Sequence, residues 1–304
     1  MMPNFIDLLD WDGDQIRTLL KDAARLKKAA LKGRHKPRLA GKVLGMIFEK
    51  PSLRTRVSFQ AGMAQLGGQA IFLNGTEVGL GKRENLPDIS RTMSEYVDAV
   101  VLRTFQHENV VEFARWSSKP VINGLSDYYH PCQALGDLLT VRECCGDLEG
   151  KTLAFIGDGN NVARSLAVAC GKVGMRFILS APPGYCFDKA FREIYQTNVQ
   201  GQFEEIEDPV KAVAQADVIY TDVWASMGQE AEAEERGKHF EAYQVNAALL
   251  KAAPQGVKVM HCLPAHRGEE ITDEVLDGPH SVAFPQAGNR MHAQKALLLW
   301  ALDA

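Results

Sequence analysis

Short, nearly continuous apolar runs alternate along the chain with segments of helical periodicity. The runs predicted as strands are residues 43–48, 70–73, 99–105, 121–123, 152–157, 176–181, 217–223, 257–263 and 281–284. Strands that are apolar at almost every position are typical of parallel sheets, because helices cover both faces of such a sheet. The pattern therefore predicts an α/β protein with two doubly wound domains, each with a central parallel sheet, joined by interdomain helices.

A charged connector that contains glycine, 143-ECCGDLEGK-151, divides this pattern into two parts. It follows a helix that starts near Gln133, and it predicts a first domain over residues 1–145 and a second over residues 146–288. The total of 304 residues agrees with this division, because a domain has roughly 150 residues. The apolar terminal segment 289–304 is predicted to form a helix that packs back across the first domain.

Composition and charge narrow the class of protein. The net charge of −4 argues against a nucleic-acid-binding surface, which normally carries a basic excess. No basic, apolar leader and no apolar run of membrane-spanning length is seen, so we expect a cytoplasmic protein. The six cysteines include no C-x-x-C pair, which favours reduced thiols. His261 next to Cys262 lacks a second ligand pair, so no metal is predicted.

Unusual polar residues follow the ends of the predicted strands. Ligands of open α/β sheets bind beyond the carboxyl ends of the strands, where helix N-termini present free N–H groups. The loop 52-SLRTR-56 brings Arg54, Arg56 and hydroxyl groups to such a position. Paired guanidinium contacts suit phosphate oxygens, so the loop predicts an anion site; the alternative is a pair of surface arginines in salt bridges. The loop 157-GDGNN-161 lacks the third glycine of a dinucleotide fingerprint, and no nucleotide cofactor is expected.

Five motifs in a fixed order give the chain a family resemblance. With SLRTRVSF, HPCQ, GDGNN, DVWASMG and HCLPAHRGEE, it resembles the ornithine carbamoyltransferases from near residue 5 to the C-terminus. The resemblance implies two α/β domains and a trimeric enzyme without a cofactor. That enzyme would transfer the carbamoyl group of carbamoyl phosphate to the δ-amine of ornithine, giving citrulline and phosphate in arginine biosynthesis or, in the opposite direction, arginine breakdown.

The same resemblance assigns residues to the two substrates. Carbamoyl phosphate is expected to bind Ser52, Leu53 (through its backbone), Arg54, Thr55, Arg103, His130, Gln133, Cys262, Leu263 and Arg290. Ornithine is expected to bind Asn161, Asp222, Ser226 and Met227. The expected catalytic residues are Arg54, Arg103, His130 and Cys262. No side chain among them is an obvious strong base, so the departing phosphate is expected to accept the amine proton.

Three positions depart from the family pattern. Leu53 stands where the family usually has Thr, Gly79 where it usually has Gln, and Gly288 where an acidic residue is common. The acidic stretch 230-EAEAEER-236 is predicted to be a solvated face or a closing lid. Two other functions stay open: a carbamoyltransferase for a modified ornithine or putrescine, and a non-catalytic sensor of a phosphate ligand.

Overall fold

The computed structural model describes residues 3–80, 83–225 and 230–303. The strands are β1 Val43–Phe48, β2 Gln69–Asn74, β3 Ala99–Arg103, β4 Val121–Leu125, β5 Thr152–Ile156, β6 Arg176–Ser180, β7 Phe203–Glu205, β8 Val218–Thr221 and β9 Lys258–His261. The helices are α1 Gly13–Ala30, α2 Leu53–Gln65, α3 Gly75–Val78, α4 Leu86–Tyr96, α5 His107–Trp116, α6 Pro131–Cys145, α7 Asn161–Lys172, α8 Lys189–Asn198, α9 Pro209–Val213, α10 Ala233–Phe240, α11 Ala247–Leu250, α12 Asp273–Leu276 and α13 Ala283–Ala301. The predicted α/β class is confirmed, since both sheets are parallel and flanked by helices.

The chain divides into two compact units. The first contains residues 3–10, Asp14–Leu139 and 288–303. The second contains Trp11–Gly13 and Thr140–Ala287. The division therefore falls inside α6, a few residues before the connector at 143–151, and again inside α13.

The first unit is built on a four-stranded sheet in the order β2-β1-β3-β4. Strands β1, β3 and β4 are buried almost throughout, as their apolar sequences require. Since β1 is hydrogen-bonded to both β2 and β3, the chain reverses its winding direction between β1 and β3. Ligands of doubly wound sheets bind at such a switch point.

The second unit has a five-stranded parallel sheet in the order β7-β6-β5-β8-β9. Its winding direction reverses between β5 and β8, so the loops after these two strands meet at one edge. A cluster of buried side chains, including Ile156, Ile219 and Phe240, forms the core on one side of this sheet.

The predicted and observed elements differ at two places. The apolar run 281–284, predicted as a strand, forms only a single bridge from Ser281 to Val259 before helix α13 begins at Ala283. Strand β7 was not predicted, because its sequence FEE is short and mostly polar and lies at the edge of the sheet. Within the described ranges, no helix combines the length and the apolar character needed to cross a bilayer.

Candidate active site

Helix α2 begins at the carboxyl end of β1 with a side-chain cap. Ser52 has an extended backbone, and its Oγ accepts a hydrogen bond from the Thr55 N–H at 3.2 Å. Leu53 and Arg54 form the start of the helix, where backbone N–H groups have no intrahelical acceptor and favour an anion. The Leu53 side chain is 73% exposed. Leu53, which stands where the family usually has Thr, therefore leaves the backbone N–H donors of this turn in place.

Arg103, at the end of β3, is a buried cation. It is only 5% exposed, and its Nε has no hydrogen-bond partner among the residues that the structure describes. Burial and then the charges of Arg290 and Arg54 lower the pKa of Arg103 to about 9. The guanidinium is still charged at neutral pH, so a bound anion would relieve both the desolvation and the repulsion.

His130, just before α6, shares this environment. Burial lowers its pKa well below the usual 6.5, and the charges of Arg290, Arg103 and Arg54 lower it further. The imidazole is therefore neutral at pH 7. A neutral imidazole can donate a hydrogen bond to an oxygen without adding another positive charge to the cluster.

Arg290 on α13 orients two neighbours in the first unit. Its Nη1 donates to Gln133 Oε1 at 2.5 Å, and its Nη2 donates to Thr55 Oγ1 at 3.2 Å. The other end of the Gln133 amide donates to Asp137 at 2.8 Å. The structure thus brings the predicted residues Thr55, Arg103, His130, Gln133 and Arg290 of the first unit together.

Arg56 does not belong to this cluster. Its guanidinium lies over the Phe72 ring at 3.7 Å, and its Nε donates to Gln60. Gly79 ends helix α3 in a left-handed conformation with φ 67°, which glycine adopts more easily than the glutamine common in the family.

In the second unit, three loops meet at Asp222, which follows β8. Cys262, after β9, donates its Sγ–H to Asp222 Oδ1 at 2.8 Å. Asn160, after β5, donates to Asp222 Oδ2 at 2.9 Å. Asn161 is the first residue of α7 at the same edge, whereas Ser226 and Met227 lie outside the described residues.

Sequence reasoning missed the role of Asn160. Its Oδ1 caps α7 by accepting from the N–H groups of Val162 and Ala163, and its amide nitrogen faces Asp222. The preference of Asn for the N-cap position was the signal that could have identified it.

The turn that carries Cys262 is fixed by a buried pair. His261 Nδ1 accepts from the Leu263 N–H at 2.8 Å, so the ring proton is on Nε2, which lies 3.0 Å from Glu270 Oε1. Leu263 has φ 57°, an unfavourable value for a non-glycine residue that its surroundings must hold. His261 and Glu270 were not predicted to hold this turn, because only the folded chain brings them together.

The stretch predicted as a solvated face contains an inward-facing residue. Arg236 on α10 is buried, and its Nη1 donates to Asp158 Oδ2 at 2.8 Å and to the Trp224 carbonyl at 3.0 Å. Burial raises the pKa of Asp158, although the hydrogen bond from Arg236 opposes that shift. Arg236 thereby ties the loop after β5 to the segment that follows Asp222.

Comparisons with known proteins agree over nearly the whole chain. Residues 3–143 match the carbamoyl-P binding domain of aspartate/ornithine carbamoyltransferase, and residues 149–301 match its Asp/Orn binding domain. The ornithine carbamoyltransferase of Anoxybacillus flavithermus is 52% identical over 97% of this chain and 95% of its own length.

Solved structures give the same result. That of the ornithine carbamoyltransferase from Pyrococcus furiosus has a TM-score of 0.94 and 49% identity, covering 97% of this chain and 96% of that chain. The enzyme from Thermus thermophilus has a TM-score of 0.90 and 39% identity, covering 99% and 100%. The chain belongs to the aspartate/ornithine carbamoyltransferase family, whose members transfer carbamoyl groups.

Proposed function

We propose that this protein transfers the carbamoyl group of carbamoyl phosphate to the δ-amine of ornithine and releases citrulline and phosphate. The observation that carries the proposal is Arg103. It is a buried guanidinium for which the described residues offer no carboxylate in salt-bridge range, at the strand end where α2 presents its N-terminus. A phosphate-bearing substrate supplies the missing negative charge.

The first unit supplies the groups for carbamoyl phosphate. Ser52, the Leu53 backbone, Arg54, Thr55 and Arg103 hold the phosphate, and Arg290 belongs to the same substrate site. Gln133 holds the carbamoyl NH2. Arg103 and neutral His130 donate to the carbonyl oxygen, which becomes an oxyanion when the amine attacks. The low pKa of His130 supports this role. A neutral imidazole can donate a hydrogen bond to the carbonyl oxygen without adding a positive charge beside the arginines.

The second unit supplies the groups for ornithine. Asp222 binds the α-ammonium, with Asn161, Ser226 and Met227 as further contacts and Cys262 near the reacting nitrogen. The Leu263 carbonyl is the proposed acceptor for the carbamoyl NH2. The amine must lose a proton before it attacks, which costs roughly 4.6 kcal/mol at pH 7 for a pKa of about 10.4. The leaving phosphate takes up the proton that is released after the attack.

Assembly as a trimer, a cytoplasmic location and a role in arginine biosynthesis complete the proposal. They rest on the family resemblance, and the relative from Pyrococcus furiosus, 50% identical over 96% of this chain, is named as anabolic.

A product assay tests the proposal. Purified protein is incubated with carbamoyl phosphate and, separately, with ornithine, acetylornithine, succinylornithine, putrescine or aspartate, and both phosphate and the carbamoylated amine are measured. We expect citrulline to form far faster than any other product. Faster turnover of another amine would contradict the choice of ornithine, and no turnover with any amine would contradict the enzymatic function.

A further inference from the structure

Cys144 and Cys145 form a thiol pair at the C-terminal end of α6. Their sulfur atoms are 3.4 Å apart, and both residues are partly exposed. The charges that act on Cys145 come from Lys151, Asp217 and Lys258, which stand at the amino ends of β5, β8 and β9. Asp222 and Cys262 follow the carboxyl ends of β8 and β9. The pair therefore lies at the opposite edge of the second unit's sheet.

The surroundings of the pair favour one thiolate. The pKa of Cys145 is lowered to about 7, mainly by the hydrogen bond from Cys144; the charges of Lys151 and Lys258 act in the same direction, whereas burial and the charge of Asp217 oppose it. The same hydrogen bond raises the pKa of Cys144. One sulfur is thus ready to attack at neutral pH while its neighbour still carries a proton.

The sulfur separation indicates which kind of centre the pair can hold. We propose that Cys144 and Cys145 bind a trivalent arsenical, or a similar pyramidal thiophilic centre, through both sulfur atoms. With bonds of about 2.3 Å, a separation of 3.4 Å gives an angle of about 95° at the bound atom. A linear centre would need sulfurs about 4.6 Å apart and a tetrahedral one about 3.8 Å, so the pair fits a pyramidal centre best.

The reaction is a condensation without a change of oxidation state. The Cys145 thiolate attacks the arsenic of an organoarsenic(III) oxide, and the arsenic–oxygen double bond becomes a single bond to a hydroxyl group that takes its proton from solvent. The Cys144 sulfur then displaces this hydroxyl group, which leaves as water with the proton of the Cys144 thiol. The arsenic keeps its organic group and ends with two bonds to sulfur.

The other cysteines provide internal controls. Cys186 is partly exposed, but burial and the nearby charge of Glu205 raise its pKa. Cys132 and Cys170 are buried, and Cys262 is buried and donates to Asp222. Cys132 donates its Sγ–H to the carbonyl oxygen of Asn123 at 3.3 Å.

Intact-mass spectrometry with phenylarsine oxide tests the proposal. The wild type should retain one adduct per chain in excess monothiol and lose it when a small dithiol is added. The concentration for half occupancy should rise about 100-fold or more in Cys144→Ser and in Cys145→Ser, because the second bond is lost. Cys186→Ser, the matched control, should behave like the wild type.

A second measurement needs no variant. After the arsenical has reacted, alkylation and peptide mapping of the wild type should show Cys144 and Cys145 protected together. An adduct that survives monothiol in both single variants, or wild type whose pair is alkylated freely, would overturn the proposal.

Discussion

At the residue scale, Arg103 links a cost in stability to a use in binding. A buried guanidinium without a counter-charge destabilises the folded chain, and its pKa near 9 reflects that cost. The same uncompensated charge is what an anionic substrate needs. Stability without ligand and affinity for phosphate should therefore change in opposite directions when Arg103 is replaced.

Arg103→Met should raise the free energy of unfolding by about 1 kcal/mol or more in phosphate-free buffer, because an apolar side chain of similar length replaces a desolvated charge. It should also lower kcat/KM for carbamoyl phosphate by about 100-fold or more through the loss of an oxyanion donor. Urea denaturation and steady-state kinetics measure the two effects.

Arg56→Met is the matched control for this substitution. Arg56 lies on α2, two residues after Arg54, but its guanidinium stacks on Phe72, so its loss should change stability by less than about 1 kcal/mol and leave the kinetics near wild type. A lower free energy of unfolding in Arg103→Met would contradict the prediction, because it would mean that other groups compensate the charge of Arg103 in the folded chain.

His130 sets an expectation for pH dependence. Its folded pKa is lowered mainly by burial, so below about pH 6.5 the unfolded chain binds the extra proton and the folded chain resists it. The free energy of unfolding should therefore fall as the pH falls from 7.5 to 5.5, by at most about 1.4 kcal/mol per pH unit from this residue.

Urea denaturation across that range, without phosphate, measures the slope. His130→Asn should show a smaller slope but not a flat one, since burial also lowers the pKa of His107. Equal slopes in the variant and the wild type would contradict the assignment of a neutral His130.

Sequence motifs identified the side chains of the proposed substrate site, but not the side chains that hold them in place. Arg103 and His130 could be found because strand ends and family motifs mark them. Asn160, Arg236 and Glu270 act through partners that are 62, 78 and 9 residues away. Such partners are set by tertiary packing, which local patterns do not contain.

At the element scale, two helical glycines that look alike in the sequence have different surroundings. Gly288 is an exposed residue of α13, and a Cβ there would meet no atom within 4 Å. Gly136 is a buried residue of α6, and a Cβ there would lie 2.9 Å from Cδ and 3.3 Å from Cα of Arg290. Of these two glycines, only Gly136 lies where a Cβ would press against the other helix.

Gly288→Ala should raise the free energy of unfolding by about 0.5–1 kcal/mol, because alanine loses less backbone entropy in a helix. Gly136→Ala should lower it by about 1–3 kcal/mol, because the methyl group forces Arg290 to move. Urea denaturation compares the pair directly. If Gly136→Ala also raised the free energy of unfolding, the contact between α6 and α13 would have room for a methyl group, which contradicts the structure.

The strands were predicted well because eight of the nine described strands coincide with nearly continuous apolar runs, as expected for parallel sheets. The error at 281–284 came from a short apolar run that fits a strand or the first turn of a helix equally well. Only the following residues, which continue as helix to Ala301, separate the two possibilities.

At the scale of the whole molecule, the first unit needs a segment that is distant in sequence. Arg290 contacts Thr55 and Gln133, and Lys295 Nζ donates to Gln65 at 2.9 Å. The second unit is almost continuous, apart from Trp11–Gly13. Loss of the last helical segment should therefore affect the two units very differently.

A chain truncated after Ala287 should show this difference in hydrogen exchange. Amides of Asp14–Leu139 should exchange faster, because buried residues such as Leu297 and Leu298 no longer cover that unit. Amides of Thr140–Ala287 should keep most of their protection, and the full-length chain is the control. Equal loss of protection in both units would contradict the division.

The same arrangement has a consequence for synthesis on the ribosome. Residues 14–139 leave the ribosome first, but they wait for residues 288–303 before their unit is complete. At about 5–20 residues per second, that wait is on the order of 10 s. The second unit can fold during this time, so the order of folding should be the reverse of the order of synthesis. A nascent chain would expose the uncovered apolar surface of its first half throughout that interval, which makes it the stage at which chaperones have most to protect.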